Sequence, residues 1–252
     1  MSDPFASWTV PPLDKTLHND EVHVWLAAYK TFRAQLSELQ NLLSVDEAKK
    51  AARFYFEKDR ERFIVTHGLL RKLLASYINT PPVQLDFQYN AYGKPALASS
   101  FQKELLHFNL SHTQNLVVYA FTCTRNIGID IEYMRADIEY EQIAGRYFSP
   151  FEHAELQRLP SSQRQQAFFH CWTRKEAYIK ARGLGLSLAL DSFDVTVRSE
   201  APVKLVANRE NAQETTRWRF AALPMNSNYA GTVVVEGQNW QMRCWQLLPS
   251  TL

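Results

Sequence analysis

The stretch Ile127-Gly128-Ile129-Asp130-Ile131-Glu132 predicts the central strand of the fold. Isoleucine alternates with glycine, aspartate and glutamate, which is the two-residue period of a strand whose successive side chains point to opposite faces. Asp130 and Glu132 therefore share one face, where their two carboxylates repel each other. A hard divalent cation such as Mg²⁺ relieves this repulsion, because it takes oxygen ligands and can hold substrate phosphates as well. We therefore expect a metal ion on this face.

A second stretch, residues 172–180, is predicted to form a helix that carries an acid and a base on one face. Trp172, Glu176 and Ile179 recur at helical spacing, and Lys180 follows Glu176 by one turn on the same face. A solvated strand face and a helix-surface ion pair are the ordinary alternatives for such residues. The apolar flanks of the strand favour a functional site, since charges in an apolar strand are costly unless they are paired or bound to metal.

Three motifs in one order give the chain its resemblance to a known family. They are Asn109-Leu110-Ser111-His112, Gly128 to Glu132, and Trp172 to Lys180 followed by the run Gly183 to Leu188. They resemble the 4′-phosphopantetheinyl transferases of the long, surfactin-synthetase-activating (Sfp) type, with matching order and spacing from about Val45 to Val197. The resemblance implies transfer of the 4′-phosphopantetheine arm of coenzyme A to a serine of an apo acyl or peptidyl carrier protein, with release of 3′,5′-ADP.

The resemblance also implies the roles of the acidic and basic residues. Mg²⁺ is expected on Asp130, Glu132 and Glu176, where it neutralises the pyrophosphate. Glu176 is a metal ligand or the base that takes the serine proton, and the sequence does not separate the two roles. Lys180 is expected to stabilise the leaving phosphate, with Lys175 as a second candidate.

Coenzyme A binding is implied at positions that match the family's motifs. These positions are Lys50, Arg53, Lys94, Asn109, Ser111, His112, Asp130 and Lys180. In the family, Lys50 and Arg53 match cations that face the 3′-phosphate, although a basic face is by default a solvated helix surface. Some members carry a further lysine where this chain has Glu47, which puts that contact in doubt.

The resemblance also implies the remaining coenzyme A positions. Lys94 lies in a predicted turn that resembles the family's turn beside the adenine, with a chance surface lysine as the alternative. Adjacent residues on a strand point apart, so Ser111 and His112 make a poor hydrolase dyad. The resemblance implies that both bind phosphate, with a histidine satisfied within the core as the alternative for His112.

Composition limits the classes of partner. The 252 residues carry a formal net charge of +2, which is too balanced for a non-specific nucleic-acid binder. Cys123, Cys171 and Cys244 are far apart and lack CxxC spacing, so we expect a reducing cytoplasm and no disulfide framework. Asp3 and Pro4 stand where a signal peptide is basic and then apolar, and no apolar run reaches about 18 residues, so we expect no membrane insertion.

The order of predicted elements indicates an α+β fold with an internal duplication. Serine and glutamate three residues apart predict capping boxes at Ser44 and Ser149. A polar loop is expected over Ser161 to Arg164, and Pro81-Pro82 is expected to end the long helix of the first half. The predicted helices cover 48–56, 59–77, 150–159 and 165–181.

Strands around these helices make the two parts of the chain similar. We expect two α/β halves, residues 1–125 and 126–252, related by a pseudo-twofold axis with the active site between them. The first half would supply cations for coenzyme A, and the second the metal-binding carboxylates. Residues 1–19 contain three prolines and are expected to form an irregular arm.

Other functions remain open from the sequence. Clustered carboxylates and a lysine also suit a Mg²⁺-dependent nuclease, although a long basic stripe is missing. An inactive carrier-binding module is a further alternative. We expect a monomer. In the segment from Arg146 to Leu156, Tyr147, Phe148 and Phe151 form either a docking surface for the carrier protein or part of the core.

Overall fold

The computed structural model describes residues 3–12, 15–198 and 200–251, so the predicted N-terminal arm lies partly outside the described residues. The strands are β1 (Glu21–Ala28), β2 (Phe87–Tyr89), β3 (Pro95–Leu97), β4 (Leu106–Thr113), β5 (Leu116–Cys123), β6 (Ile127–Tyr133), β7 (Phe193–Val195), β8 (Leu205–Asn208), β9 (Trp218–Ala222), β10 (Tyr229–Glu236) and β11 (Gln241–Gln246). The α-helices are α1 (Leu36–Asn41), α2 (Val45–Ala52), α3 (Glu57–Ile78), α4 (Tyr140–Tyr147), α5 (Pro150–Gln157), α6 (Ser161–Arg182) and α7 (Glu214–Arg217). None of the helices described is both long and apolar enough to cross a membrane.

The strands form two main sheets. One has the order β11-β1-β5-β4 and the other the order β6-β10-β9, while β2-β3 and β7-β8 are separate pairs. Strand β11 runs parallel to β1, so the last strand of the chain joins the sheet of the first half. The mixture of helices and strands confirms the α+β class. The pseudo-twofold axis and the division after residue 125 stay predictions.

Each main sheet packs against one long helix. Helices α3 and α6 are both 22 residues long, and each carries a row of buried apolar side chains into its own core cluster. A third cluster joins the two sheets, with Val22 and Val24 of β1 and Ile129 and Ile131 of β6 among its members. The isoleucines of the central strand therefore face the core between the sheets. Asp130 is left on the face that meets α6.

Both predicted capping boxes are confirmed. The Ser44 hydroxyl accepts from the Glu47 amide at 3.2 Å, and the Glu47 carboxylate accepts from the Ser44 amide at 2.8 Å. Ser149 and Glu152 form the same reciprocal pair at the start of α5. These bonds satisfy backbone donors that have no partner inside the helix, which fixes where each helix begins.

One boundary prediction needs correction. Residues 161–164 are the first turn of α6, and the predicted polar loop is wrong. The Arg164 guanidinium donates to the carbonyls of Gln157 and Leu159, so its polarity serves the junction with α5. Helix α3 stops before the two prolines, because Asn79 adopts a left-handed conformation with φ 48°.

Candidate active site

Helix α6 lies directly on strand β6 at Gly128. A Cβ atom at this position would meet the Ala177 carbonyl oxygen at 2.1 Å and the Ala181 amide nitrogen at 2.2 Å. Only glycine leaves room for two backbones this close. The contact brings the Glu176 to Lys180 turn of the helix over the carboxylates of the strand. Sequence reasoning missed this role of Gly128, although an isolated glycine in a strand signals close backbone approach.

The Lys180 amine occupies the centre of the site. It donates to the Asp130 carboxylate at 2.7 Å, to the Ser111 hydroxyl at 3.1 Å and to the Ile129 carbonyl at 3.2 Å. The Lys180 side chain is 28% exposed, so this buried network still opens toward solvent on one side. The structure thus places Lys180 against Asp130, while its expected role at the leaving phosphate stays a prediction.

Three carboxylates surround this amine, and they perturb one another. Burial and the negative charge of Asp130 raise the pKa of Glu132 to about 7, and the same two causes raise the pKa of Glu176. The Oδ2 atom of Asp130 is buried and has no hydrogen-bond partner among the described residues. Within that part of the chain, no group of three or more His, Cys, Asp or Glu side chains is arranged as a ready metal site. The orphaned oxygen and the mutual repulsion nevertheless fit a divalent cation.

Strands β4 and β6 meet along a seam that side chains bridge. The Asn109 side-chain oxygen accepts from the Ile129 amide at 2.9 Å, and Ser111 donates to the Asp130 Oδ1 at 2.8 Å. Thr113 accepts from the Tyr133 amide at 3.1 Å and donates to Glu132 at 3.3 Å. Alternate residues of β4 thus connect the two main sheets at the site.

These seam contacts bear on the predicted roles of the β4 motif. Thr113 was missed as a site residue, although its spacing of two from Ser111 is a signal in the sequence. The expected coenzyme A contacts of Asn109 and Ser111 stay predictions, because both side chains here bond to β6, Asn109 to its backbone and Ser111 to Asp130.

His112 follows Ser111 on β4, so its side chain points the other way, and the residue is exposed. Partial desolvation lowers the pKa of His112, and the positive charges of Lys180, Arg62 and His67 lower it further. Lys180 comes from α6, whereas Arg62 and His67 come from α3. Positive charge from both long helices therefore acts on the surroundings of His112.

The turn at Lys94 is clamped to the end of α6. The Lys94 amine donates to the carbonyls of Ile127 at 2.9 Å and Ala181 at 3.3 Å, and burial lowers its pKa to about 8. Asn90 donates to the Gly183 carbonyl at 2.7 Å. Lys94 also lines a cavity of about 250 Å³ together with Asn109, Glu176, Lys180 and Tyr92. The structure thus brings the turn to the active site, while its contact with adenine stays a prediction.

Lys50 lies on the exposed face of α2, and Arg53 is the exposed residue that follows the helix. The Lys50 amine lies 5.5 Å from the centre of the Phe63 ring, which belongs to α3. Glu47, in contrast, is buried at 6% exposure and points inward to Arg71. The basic face is therefore available to a ligand, and Glu47 is a structural partner below it.

Lys175 is not available as a phosphate cation, and that expectation is wrong. Its amine is fully buried, contacts the Glu152 carboxylate at 2.6 Å and donates to the Phe193 carbonyl at 2.9 Å. Adjacent residues of a helix point in different directions, so Lys175 faces the core while Glu176, the next residue, lines the cavity of the site.

The aromatic segment before α6 divides between core and surface. Phe148 is 5% exposed and stacks with Phe168 at 5.4 Å, so it belongs to the core. Tyr147 and Phe151 are 38% and 43% exposed. Of the three aromatics for which docking and core were the alternatives, Tyr147 and Phe151 are thus at the surface.

The chain is similar to known 4′-phosphopantetheinyl transferases along most of its length. A family model described as the 4′-phosphopantetheinyl transferase superfamily matches residues 126–234, and one described as 4′-phosphopantetheinyl transferase, N-terminal, matches residues 25–124. The 4′-phosphopantetheinyl transferase HetI of Nostoc sp. is 39% identical over 239 residues, which is 95% of this chain and 98% of that protein. The 4′-phosphopantetheinyl transferase Sfp of Bacillus subtilis is 33% identical over 165 residues, or 66% of this chain and 71% of that protein. The solved holo-acyl-carrier-protein synthase of Thermotoga maritima superposes with a TM-score of 0.36 and 18% identity, over 45% of this chain and 63% of that one.

Proposed function

This chain belongs to the 4′-phosphopantetheinyl transferase superfamily, and on that premise we propose that it modifies apo acyl or peptidyl carrier proteins. It transfers the 4′-phosphopantetheine arm of coenzyme A to a carrier serine and releases 3′,5′-ADP. The observation that carries the proposal is the Lys180 amine, held by Asp130 and Ser111 where the seam between the halves meets α6. A cation fixed at this point can stabilise negative charge on a departing phosphate.

Glu176 is the residue of this site best suited to take the serine proton. Its pKa is raised by burial and by Asp130, which makes its carboxylate a stronger base near neutral pH. It lines the same cavity as Lys180, so base and cation face one space. A role as a metal ligand is compatible with this position, and the two roles remain alternatives.

Asp130, Glu132 and Glu176 are the residues that would hold Mg²⁺. Support comes from the buried oxygen of Asp130, which lacks a partner among the described residues, and from the raised pKa of Glu132. When bound, Mg²⁺ neutralises charge on the pyrophosphate of coenzyme A. Without it, Lys180 offsets only part of the repulsion among the carboxylates, and the raised pKa of Glu132 and of Glu176 reflects the remainder together with burial.

Lys50 and Arg53 form the outer wall that holds the 3′-phosphate of coenzyme A. Both residues are exposed, Lys50 on α2 and Arg53 directly after it, and from there we expect no contact with the reacting groups. Lys50→Ala or Arg53→Ala should therefore raise the KM for coenzyme A with a smaller change in kcat. Dephospho-coenzyme A, which lacks the 3′-phosphate, is the matched probe. Mutants that discriminate against it as strongly as the parent would show that this phosphate is held elsewhere.

We propose further that the protein acts as a monomer with its active site between two similar halves, in a reducing cytoplasm. Asn109, Ser111 and Thr113 support a site at the seam, because each connects β4 of the first half with β6 of the second. The three cysteines are free thiols, which suits a reducing compartment.

A single experiment tests the proposed function. The protein is incubated with coenzyme A, Mg²⁺ and a panel of apo carrier proteins from fatty-acid, polyketide and peptide synthases, and the carriers are weighed by mass spectrometry. We expect one or more carriers to gain the mass of 4′-phosphopantetheine, with release of 3′,5′-ADP. A Lys180→Met variant should lose this activity. Unmodified carriers across the whole panel would refute the proposal.

A further inference from the structure

Strands β4 and β6 are joined by side chains, since each strand lies at the edge of a different main sheet. Asn109 of β4 accepts from the Ile129 amide of β6 at 2.9 Å. Four residues further along β4, the Thr113 hydroxyl accepts from the Tyr133 amide at 3.1 Å. Alternate side chains of a strand share one face, so a single face of β4 meets β6 along this seam.

Two hydroxyl groups on this face of β4 each hold one carboxylate of β6. Ser111 donates to the Oδ1 atom of Asp130 at 2.8 Å, and Thr113 donates to the Oε2 atom of Glu132 at 3.3 Å. In both carboxylates the second oxygen is left over. Among the residues that the structure describes, Oδ2 of Asp130 has no hydrogen-bond partner and Oε1 of Glu132 accepts no hydrogen bond. These two oxygens are therefore available to a cation.

The Thr113 hydroxyl is held in place independently of Glu132. Its oxygen accepts from the Tyr133 amide, and a hydroxyl has a single hydrogen to donate, which points to Glu132. Threonine is branched at Cβ, so few χ1 rotamers are open to it. The backbone is fixed as well, because Thr113 pairs with Leu116 in the β4–β5 ladder. Thr113 is thus a rigid donor, whereas glutamate is a long side chain with many rotamers.

Glu132 depends on this donor more than Asp130 depends on any one partner. Asp130 is buried and is held by both Ser111 and Lys180. Glu132 is only half-buried near the end of β6, and Thr113 is its one hydrogen-bond partner within the described part of the chain. Because Asp130 and Glu132 share a face, their repulsion would turn an unheld Glu132 side chain toward solvent.

We propose that Thr113 is a positioning residue, which raises the affinity of this site for a divalent cation by holding the Glu132 carboxylate in its ligating orientation. The proposal rests on the proposed function, from which the metal role of Glu132 comes, and it adds a residue that acts through Glu132. Hydrogen bonds to a metal ligand restrict its orientation, and their loss typically weakens metal binding by about 10- to 100-fold.

Mn²⁺ binding measured by electron paramagnetic resonance tests the proposal without any carrier protein. Mn²⁺ alone is the probe, because it prefers the same oxygen ligands as Mg²⁺, and the signal of the hydrated ion falls as the ion binds. We expect the wild-type protein to bind Mn²⁺ and Thr113→Val to raise the Kd at least about tenfold. Thr113→Ser keeps the hydroxyl and should restore the parent's Kd. A wild-type protein that binds no Mn²⁺ would overturn the proposal.

Glu132→Gln shows whether the measured ion lies at this site. This variant should weaken Mn²⁺ binding at least as much as Thr113→Val does, because it removes the charge of the ligand itself. Mn²⁺ binding that is unchanged in Glu132→Gln would assign the ion to another place on the protein, and would also overturn the proposal.

Thr122→Val is the matched control that separates positioning from a structural role. Thr122 of β5 is fully buried, and its hydroxyl donates to the Glu21 carbonyl at 3.2 Å. Both valine variants lose one hydroxyl from a strand, so both should lower the unfolding temperature. Only Thr113→Val should raise the Kd for Mn²⁺. A lower unfolding temperature for Thr113→Val with the parent's Kd would show a structural brace only, and would refute the proposal.

The Mg²⁺ dependence of transfer gives a second readout. In Thr113→Val, the Mg²⁺ concentration for half-maximal activity should rise, while kcat at saturating Mg²⁺ stays close to the parent's. A lower kcat with an unchanged Mg²⁺ requirement would contradict a positioning role. Carriers that stay unmodified across the whole panel would refute the proposed function, whereas an equal Kd for Mn²⁺ in the wild type and in Thr113→Val would refute this inference, so the two failures are distinguishable.

Discussion

Replacing Gly128 by alanine should displace the helix that carries the catalytic groups. The new Cβ atom would lie 2.1 Å from the Ala177 carbonyl oxygen and 2.2 Å from the Ala181 amide nitrogen, where ordinary contacts begin at 3.4 Å. Neither atom belongs to a flexible side chain, so α6 and β6 must separate by about 1 Å. Overpacking of this kind costs about 1–3 kcal/mol of the free energy of unfolding. We expect Gly128→Ala to fold with a lower unfolding temperature.

The same displacement should impair transfer more than it impairs folding. Lys180 lies 2.7 Å from the Asp130 carboxylate and 3.1 Å from the Ser111 hydroxyl. A shift of about 1 Å breaks this geometry, and misplacement on that scale can cost about 100-fold in rate. The assay compares kcat for carrier modification below the unfolding temperature of Gly128→Ala, with carrier masses as the readout.

Gly145→Ala is the matched control for this prediction. Gly145 lies within α4, and the nearest atom to an added Cβ is the His153 Nε2 at 3.9 Å. Alanine is the better helix former by about 1 kcal/mol, so this variant should be slightly more stable and fully active. A Gly128→Ala protein with the parent's kcat and unfolding temperature would refute the argument that the close approach of α6 builds the site.

Three further predictions follow from burial and charge. Lys175→Met should lower the free energy of unfolding by about 3–5 kcal/mol, because it leaves the Glu152 carboxylate buried without its cation. Lys180→Met should instead lower kcat and change stability little. Thermal melts and carrier assays on both variants check this. Asp130→Asn should remove most turnover while the fold survives, because the change removes charge and no core volume. Wild-type activity that is unchanged in excess EDTA would contradict a metal role. Phe151→Ala should weaken transfer to the carrier and leave stability and coenzyme A affinity at the parent's values, because this side chain is exposed. Phe148→Ala should lower the unfolding temperature by several degrees, because that side chain is buried. A stability loss in Phe151→Ala without a transfer defect would assign Phe151 to the core.

The local elements were accessible from the sequence because their signals are local. Alternation of isoleucine with polar residues predicted β6 and the shared face of its carboxylates, and the structure buries Ile129 and Ile131 on the opposite side from Lys180. The two capping boxes predicted helix starts from four residues each. The loop predicted over residues 161–164 failed because the polar Arg164 serves the carbonyls at the end of the preceding helix, a contact that polarity alone does not reveal.

Choosing between neighbouring residues required the tertiary structure. The sequence placed Lys175 and Lys180 on one helix beside Glu176, and only the packing of α6 sends the first into the core and the second to the carboxylates. The periodicity of a helix gives the angle between side chains, but not which neighbour each face meets.

By itself, the sequence determined the secondary-structure pattern, the motifs that carry the family resemblance and the residue types of the site. Only the tertiary structure decided that Gly128 brings α6 onto β6, that Asn109, Ser111 and Thr113 bridge two sheets, and that β11 returns to pair with β1. These features join residues that are far apart in the chain, so no local spacing records them. They follow from which surfaces can be buried together at van der Waals distance with their polar groups satisfied.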